Sequence, residues 1–268
     1  MNTKNPAIRA VLIFTLIMGV MSLFVMLTAN LKSANDNSNA DVLIDPATLE
    51  LVQLEPVKDG DKIAIFDTTL GEFRFVLYPQ YSPNTVANFV ELAESGYYND
   101  TYVYNIEKGV LAEAGSCDTQ GNTRDKSHES NKRELHQNLW PFKGAVCVQN
   151  TAIDRNFKQK MFGGGTYLNG SRFTLVNTIE FDEETIKEMK EASEYQKVTD
   201  AFIEHGGIPN YSQQLTVIGQ TYEGIEVVEA ITNAEAENNG YNNIPKEDIK
   251  INSVVISEYS AENNGKTE

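Results

Sequence analysis

The sequence has few basic residues and few histidines. Its 22 lysines and arginines compare with 38 aspartates and glutamates, which gives a formal net charge of −16 at pH 7. A surface of that sign repels nucleic acid and anionic lipid headgroups, so we expect no nucleic-acid partner. The three histidines, His128, His136 and His205, share no metal-ligand spacing, and the sequence therefore predicts no metal site.

Cysteine is also scarce, because the chain contains only Cys117 and Cys147. A disulfide between them is chemically permitted if the domain lies outside the cytoplasm. Cys147, however, occupies a strand position whose side chain is expected to point inward, and buried free cysteine is common. The sequence leaves the pairing open and favours two free thiols.

Long apolar runs are absent except at the N-terminus. Residues 10–28, "AVLIFTLIMGVMSLFVMLT", carry no charge and are long enough to cross about 30 Å of hydrocarbon as a helix. Lys4 and Arg9 precede the run, which predicts a cytoplasmic N-terminus and an anchor within residues 1–31. The expected location is the cell membrane, with a single pass and an extracytoplasmic C-terminal domain. A cleaved signal peptide is the alternative, with the small residues at 38–40 as its best cleavage site.

The segments that flank the expected domain are polar. Residues 32–60 begin with asparagine and serine, as is typical of a linker. Their later part, residues 42–57, contains apolar side chains that could lie along the domain surface. Residues 260–268 are predicted to be a polar tail, so the folded domain is expected to span residues 61–259.

Between these flanks the sequence shows strand patterns and two helical patterns. "KIAIFDTTLGEFRFVLYP" alternates apolar and polar residues on both sides of a turn with Gly71, which predicts a hairpin. A helix is predicted to begin with Ser82 as N-cap and Pro83 in the first turn, and to end near Gly96. A second short helix is predicted after Gly224. Helices do not alternate regularly with strands, so a parallel sheet is not expected.

Four segments carry a family resemblance in a fixed order. The first, "TTLGEFRFVLYPQYSPNTVANFVELAESGYYNDT", joins a Leu-Gly turn to Pro-x-Thr-Val-x-Asn-Phe on a helix that ends in Gly-Tyr-Tyr. "GAVCVQN" (144–150), "NGSRFTLV" (169–176) and "LTVIGQTYEGIEVVEAI" (215–231) follow. Together they resemble cyclophilin-type peptidyl-prolyl cis-trans isomerases across the expected domain, with insertions at about 151–168 and 179–209. The second insertion is similar to one in exported cyclophilins of Gram-positive bacteria.

The resemblance implies a mainly β fold, with a closed antiparallel barrel of eight strands capped by two helices. A helical insertion and the N-terminal transmembrane helix complete the expected architecture. The implied chemistry is rotation about a prolyl amide, in which a donor held against the prolyl nitrogen stabilises the twisted state without a metal or other cofactor. The implied partners are proline-containing polypeptide segments of exported proteins, with the membrane contacted through the N-terminal helix.

The catalytic positions of the family are changed in this chain. The family uses an arginine as donor and a nearby glutamine, and these positions hold Asn105 and Glu113. Arg172 replaces another family glutamine and is the first candidate for a compensating cation, ahead of Lys108. The simpler interpretation is that Arg172 pairs with Glu113 or faces solvent. By resemblance, the peptide-binding positions are Val110, Leu111, Gln149, Asn150, Phe173, Thr174, Asn210, Tyr211 and Leu215.

Three functions remain open from the sequence. The chain could be an active isomerase with a rebuilt pocket, a non-catalytic chaperone or scaffold that binds peptides, or a structural module in a membrane complex. Asn105 is neutral, and losing one well-aimed donor costs about 3 kcal/mol, or about a hundredfold in rate. The sequence therefore predicts an isomerase domain acting on exported proteins, with its activity weakened or lost.

Overall fold

The computed structural model describes residues 42–124, 131–153 and 165–262. The predicted anchor within residues 1–31, its alternative cleavage site and His128 lie outside these ranges. Within the described ranges, no helix is both long enough and apolar enough to cross a membrane.

The described residues form eleven strands and four α-helices. The strands are β1 (Lys62–Thr68), β2 (Gly71–Leu77), β3 (Thr101–Glu107), β4 (Leu111–Ser116), β5 (Asn131–Lys132), β6 (Ala145–Ile153), β7 (Thr166–Val176), β8 (Thr216–Glu223), β9 (Ala236–Asn238), β10 (Asn243–Pro245) and β11 (Lys250–Glu258). The helices are α1 (Pro83–Glu94), α2 (Glu183–Ala192), α3 (Gln196–His205) and α4 (Ile225–Asn233), and short 3-10 turns lie at Val52–Leu54 and Pro209–Tyr211.

Eight strands close into an antiparallel barrel. Their order is β4-β3-β11-β1-β2-β8-β6-β7, and β7 pairs with β4 to complete the ring. The predicted eight-stranded antiparallel barrel is therefore confirmed. The short β5 pairs with the far part of β7, and β9 and β10 form a separate hairpin.

Aromatic rings fill the barrel interior. Phe66 stacks on Phe73 with 5.0 Å between ring centroids, and it meets the edge of Phe173 at 5.5 Å. Phe89 of α1 enters the same cluster, together with the apolar face of α4. Full burial of one such ring stabilises the fold by about 1.5–3 kcal/mol, so this cluster holds the barrel and its two covering helices together.

The N-terminus of α1 is capped by a distant residue. Ser82, the predicted N-cap, makes no capping hydrogen bond, and its hydroxyl donates to the carbonyl of Val217 at 3.1 Å. The carboxylate of Glu134 instead accepts from the backbone N–H groups of Asn84 at 3.3 Å and Thr85 at 2.8 Å. A carboxylate satisfies free N–H groups there and complements the positive end of the helix. The prediction of a Ser82 side-chain cap was wrong, because the hydroxyl is used in the β8 contact.

The second insertion folds as α2 and α3 and packs on the segment that precedes the barrel. Phe202 of α3 contacts Phe142 with 4.6 Å between ring centroids, and Leu49 joins their cluster. The side chain of Gln53 donates to Gln220 at 2.8 Å and accepts from a backbone N–H of the barrel domain. The later part of the predicted linker therefore lies against the domain.

Both cysteines are free thiols. Cys147 is completely buried on β6, and this burial raises the pKa of its thiol to about 12. The preference for two free thiols is thus confirmed, and Cys147 acts as a small apolar side chain in the packing.

Candidate functional site

One outer face of the barrel carries the positions singled out in the sequence. β3 and β4 place Asn105 opposite Glu113 and Glu107 opposite Leu111, and β4 and β7 place Glu113 opposite Thr174. Because side chains alternate between the two faces of a strand, these five residues lie on the same side of the sheet. The register therefore brings the two altered catalytic positions into direct cross-strand contact.

Both polar atoms of the Asn105 side chain are engaged within the protein. Its Nδ2 donates to Glu113 Oε2 at 3.0 Å, and its Oδ1 accepts from the backbone N–H of Asn243 at 2.8 Å. These bonds tie β3 to β4 and to β10. A carboxamide has two N–H donors, so one is left to meet a ligand. Asn105 thus offers a single neutral donor where the family has a guanidinium.

Glu113 is a partly buried carboxylate without an ion-pair partner among the described residues. Burial raises its pKa above the ordinary value, although the hydrogen bond from Asn105 and the charge of Arg172 act in the opposite direction. The negative charge of Glu107 also contributes to the increase in the pKa of Glu113. In the reaction implied by the family resemblance, a carboxylate here would disfavour the lone pair that develops on the prolyl nitrogen.

Replacing Glu113 with glutamine should stabilise the fold at neutral pH. A carboxyl group whose pKa is higher in the folded state stabilises the protein below its unfolded pKa, and this contribution is lost as pH rises through the folded pKa. Glu113→Gln keeps the oxygen that accepts from Asn105 and removes the charge. We therefore expect a small increase in melting temperature at pH 7.5, which shrinks as pH falls toward the ordinary value of 4.5.

Thermal unfolding of dilute protein, followed by the fluorescence of the single tryptophan, Trp140, measures this difference. A stabilisation of equal size at both pH values would show that the charge of Glu113 is not its cause. A loss of stability at pH 7.5 would show that the carboxylate is favourable in its environment.

Arg172 is held on the side of the site by two contacts. Its guanidinium donates to the carbonyl of Gly121 at 3.0 Å and lies 5.7 Å from the ring centroid of Tyr104. Among the described residues, Arg172 forms no ion pair with Glu113, although its charge lowers the pKa of that group. The expected ion pair of Arg172 with Glu113 was therefore wrong, and the partly exposed side chain instead contacts a loop carbonyl and a ring.

The apolar residues among the predicted peptide-binding positions pack together on the outer face of the barrel. Leu111 is 3% exposed and belongs to a cluster with Cys147 and Val217. The partly buried members packed against this cluster include Val110, Tyr211 and Leu215. Thr174, at 2% exposure, lies beside them between Glu113 and Cys147. The structure thus brings these predicted peptide-binding residues together.

Phe173 does not belong to this face. It is fully buried in the barrel interior, with ring centroids 5.6 Å from Tyr98 and 6.4 Å from Phe89. Its neighbours Arg172 and Thr174 point outward, and alternation along β7 therefore turns Phe173 inward. The prediction of Phe173 as a peptide-binding residue was wrong, because a retained family residue can be retained for packing.

The other three predicted positions connect β6 to the turn before β8. Asn150 Nδ2 donates to the carbonyl of Gln214 at 2.9 Å, and Gln214 in turn donates to the carbonyl of Asn210. Gln149 accepts from the hydroxyl of Tyr104 at 2.8 Å, while its buried Nε2 has no hydrogen-bond partner among the described residues. Gln149 Nε2 is therefore a free donor at the rim of the site.

Two residues of the site were not predicted from the sequence. Glu107 lies two positions after Asn105 on the same side of β3, and strand alternation could have identified it. Tyr104 reaches Gln149 and Arg172 next to an irregularity in the β3–β4 pairing between Val103 and Asn105, which no sequence pattern indicates. Among the described residues, no group of three or more metal-ligating side chains could hold a metal ion.

Comparisons with known proteins show the family to which the chain belongs. A family model described as cyclophilin type peptidyl-prolyl cis-trans isomerase/CLD matches residues 63–256. A protein of Staphylococcus saprophyticus, provisionally named a peptidyl-prolyl cis-trans isomerase, is 28% identical over 208 residues, which is 77% of this chain and 98% of the relative. A protein of Staphylococcus aureus strain USA300 with the same name is 26% identical over 203 residues, covering 75% of this chain and 95% of the relative.

Solved structures show the same fold. The crystal structure of a Cryptosporidium parvum cyclophilin type peptidyl-prolyl cis-trans isomerase superimposes with a TM-score of 0.55 at 17% identity, covering 75% of this chain and 99% of that one. A second structure of that protein, in the presence of the dipeptide Ala-Pro, gives a TM-score of 0.53 at 18% identity, with 73% and 98% coverage. At such low identity the similarity establishes the fold alone.

Proposed function

Because the chain belongs to the cyclophilin-type peptidyl-prolyl cis-trans isomerase family, we propose that its outer face binds proline-containing segments of exported proteins and isomerises them slowly. The observation that carries this proposal is that Asn105 is uncharged and already hydrogen-bonded within the protein. A neutral carboxamide, bonded to Glu113 and to the Asn243 backbone, stands at the position of the family's donor.

The size of the expected defect follows from the reaction. Rotation about a prolyl amide has a barrier of about 20 kcal/mol, because the C–N bond has partial double-bond character. Twisting localises a lone pair on the nitrogen, and a charge-assisted donor stabilises that state more than either planar state. The remaining N–H of Asn105 is uncharged, and the carboxylate of Glu113 opposes it. We expect a rate about a hundredfold below that of a site with the donor in place.

The proposed location is the outer side of the cell membrane. Support comes from the uncharged run at residues 10–28 and from Lys4 and Arg9 before it. The domain would then meet polypeptides as they emerge from export. Resistance of the domain to protease added to intact cells would contradict this location.

Exchange spectroscopy on a proline-containing tetrapeptide tests binding and isomerisation together. With the full-length protein in mild detergent, we expect peptide resonances to shift on titration while cis–trans exchange stays more than tenfold slower than with an ordinary cyclophilin. A peptide with alanine in place of proline is the control for specific binding. Exchange within tenfold of an ordinary cyclophilin would refute the weakened site, and absence of binding would refute the peptide-binding function.

A non-catalytic chaperone or scaffold is the second candidate. The engagement of both polar atoms of Asn105 favours it, because the side chain already has partners when no substrate is bound. Peptide binding with no acceleration of exchange at all would identify this function.

A further inference from the structure

Two carboxylates without ion-pair partners flank the Asn105 position. Glu113 lies directly opposite Asn105, and Glu107 lies two residues further along β3, opposite Leu111. Diagonal neighbours in an antiparallel pair are about 7–8 Å apart, so the two acids border one small area of the outer face. Among the described residues, neither carboxylate has a cation within ion-pair distance.

The nearby cations are engaged with other groups. Arg172 donates to the Gly121 carbonyl and lies over the ring of Tyr104. Lys108, the residue after Glu107, forms an ion pair with Glu235. The charge of Arg172 acts on Glu113 without forming an ion pair with it. Two carboxylates beside one guanidinium leave a net negative charge around Asn105, in a chain whose overall charge is also negative.

An aromatic ring stands beside the two acids. Tyr211 packs, half-buried, against the cluster that contains Leu111. Burial raises the pKa of its hydroxyl, and the negative charges of Glu107 and Glu113 add to this increase. Carboxylates next to an accessible aromatic face are the combination that holds an ammonium or guanidinium group, by charge attraction and by the cation–π interaction.

We propose that the site selects peptides with a lysine or arginine directly before or after the proline. The selection rests on the proposed function, since it requires the proline to lie over Asn105. Adjacent Cα atoms are 3.8 Å apart and paired strand side chains about 5 Å apart, so a long basic side chain next to the proline reaches Glu113. The side chains that contact this basic group are those of Glu113, Glu107 and Tyr211.

Binding of matched tetrapeptides to the full-length protein tests the proposal. The peptides share one proline and differ only in the preceding or following residue, which is lysine, its uncharged isostere norleucine, or glutamate. We expect the lysine peptide to bind about fivefold more tightly than the norleucine peptide in low salt, and the glutamate peptide to bind most weakly. The preference should weaken at high ionic strength.

Charge-removing variants assign the preference to the two acids. Glu113→Gln and Glu107→Gln should each reduce the ratio of lysine to norleucine affinity, and the double variant should bring it close to one. Asp67→Asn is the matched control, because Asp67 is an exposed carboxylate on β1, which β11 separates from β3. It removes the same charge and should leave the ratio unchanged.

The outcomes separate this proposal from the one on which it rests. If proline peptides bind but lysine and norleucine peptides bind equally, the charge selection is refuted and the peptide-binding function stands. A preference for lysine that survives in the double variant would also refute it. If no proline peptide binds better than its alanine counterpart, both proposals fall.

Discussion

Replacing Asn105 with arginine and Glu113 with glutamine is expected to raise kcat/KM for prolyl isomerisation about a hundredfold. The arginine would supply a charged donor, and the glutamine would remove a carboxylate that disfavours the twisted amide. The apolar cluster proposed to receive the proline ring, with Leu111 and Tyr211, is already assembled. Cis–trans exchange of a bound peptide, measured by NMR on full-length protein, gives the rate directly.

A neutral variant provides the control for this gain. Asn105→Gln lengthens the side chain but adds no charge, so its rate should stay within about threefold of the unmodified protein. Asn105→Arg alone should give a smaller increase, because Glu113 would pair with the new guanidinium. If the folded double variant shows no acceleration, the missing cation is not what limits catalysis at this site.

Truncating Phe173 to alanine is expected to lower the free energy of unfolding by about 3–5 kcal/mol. Its ring is fully buried, and it meets Phe66 and Tyr98 edge-on with centroids 5.5 Å and 5.6 Å away. Removal would leave a cavity in a closed barrel, where the surrounding strands cannot collapse to fill it. Urea unfolding followed by Trp140 fluorescence measures the loss.

Tyr241 serves as the matched control for this truncation. It is also aromatic, but it is 94% exposed beyond β9, so Tyr241→Ala should change the unfolding free energy by less than about 0.5 kcal/mol. A loss below about 1 kcal/mol for Phe173→Ala would mean that Phe173 is not a core residue. The prediction of Phe173 as part of the groove would then have to be reconsidered.

Local sequence patterns predicted individual elements of the barrel, whereas the closed eight-stranded barrel was predicted from the ordered segments that resemble the cyclophilin family. The hairpin around Gly71 and the periodic apolar face of α1 each follow from short-range periodicity. The capping of α1 by Glu134 could not be predicted, because it depends on a contact between residues about 50 positions apart. Side-chain caps of that kind depend on the tertiary structure.

The sequence predicted which residues form the site better than it predicted their hydrogen-bond partners. Matching this sequence to the positions of the cyclophilin family placed Asn105 and Glu113 in one site. The strand register shows that they face each other. The direction of Arg172 was not predictable, since its partner is the backbone carbonyl of Gly121 in a loop. The second hydrogen-bond partner of Asn105, the backbone N–H of Asn243, likewise comes from a distant hairpin.

A crystal structure of the full chain with a bound proline peptide tests most directly whether the prolyl nitrogen lacks a charged donor. We predict that the only side-chain donor near that nitrogen is the Asn105 carboxamide and that Arg172 still donates to the Gly121 carbonyl. A guanidinium or ammonium group of the chain within hydrogen-bond distance of the prolyl nitrogen would contradict the weakened site.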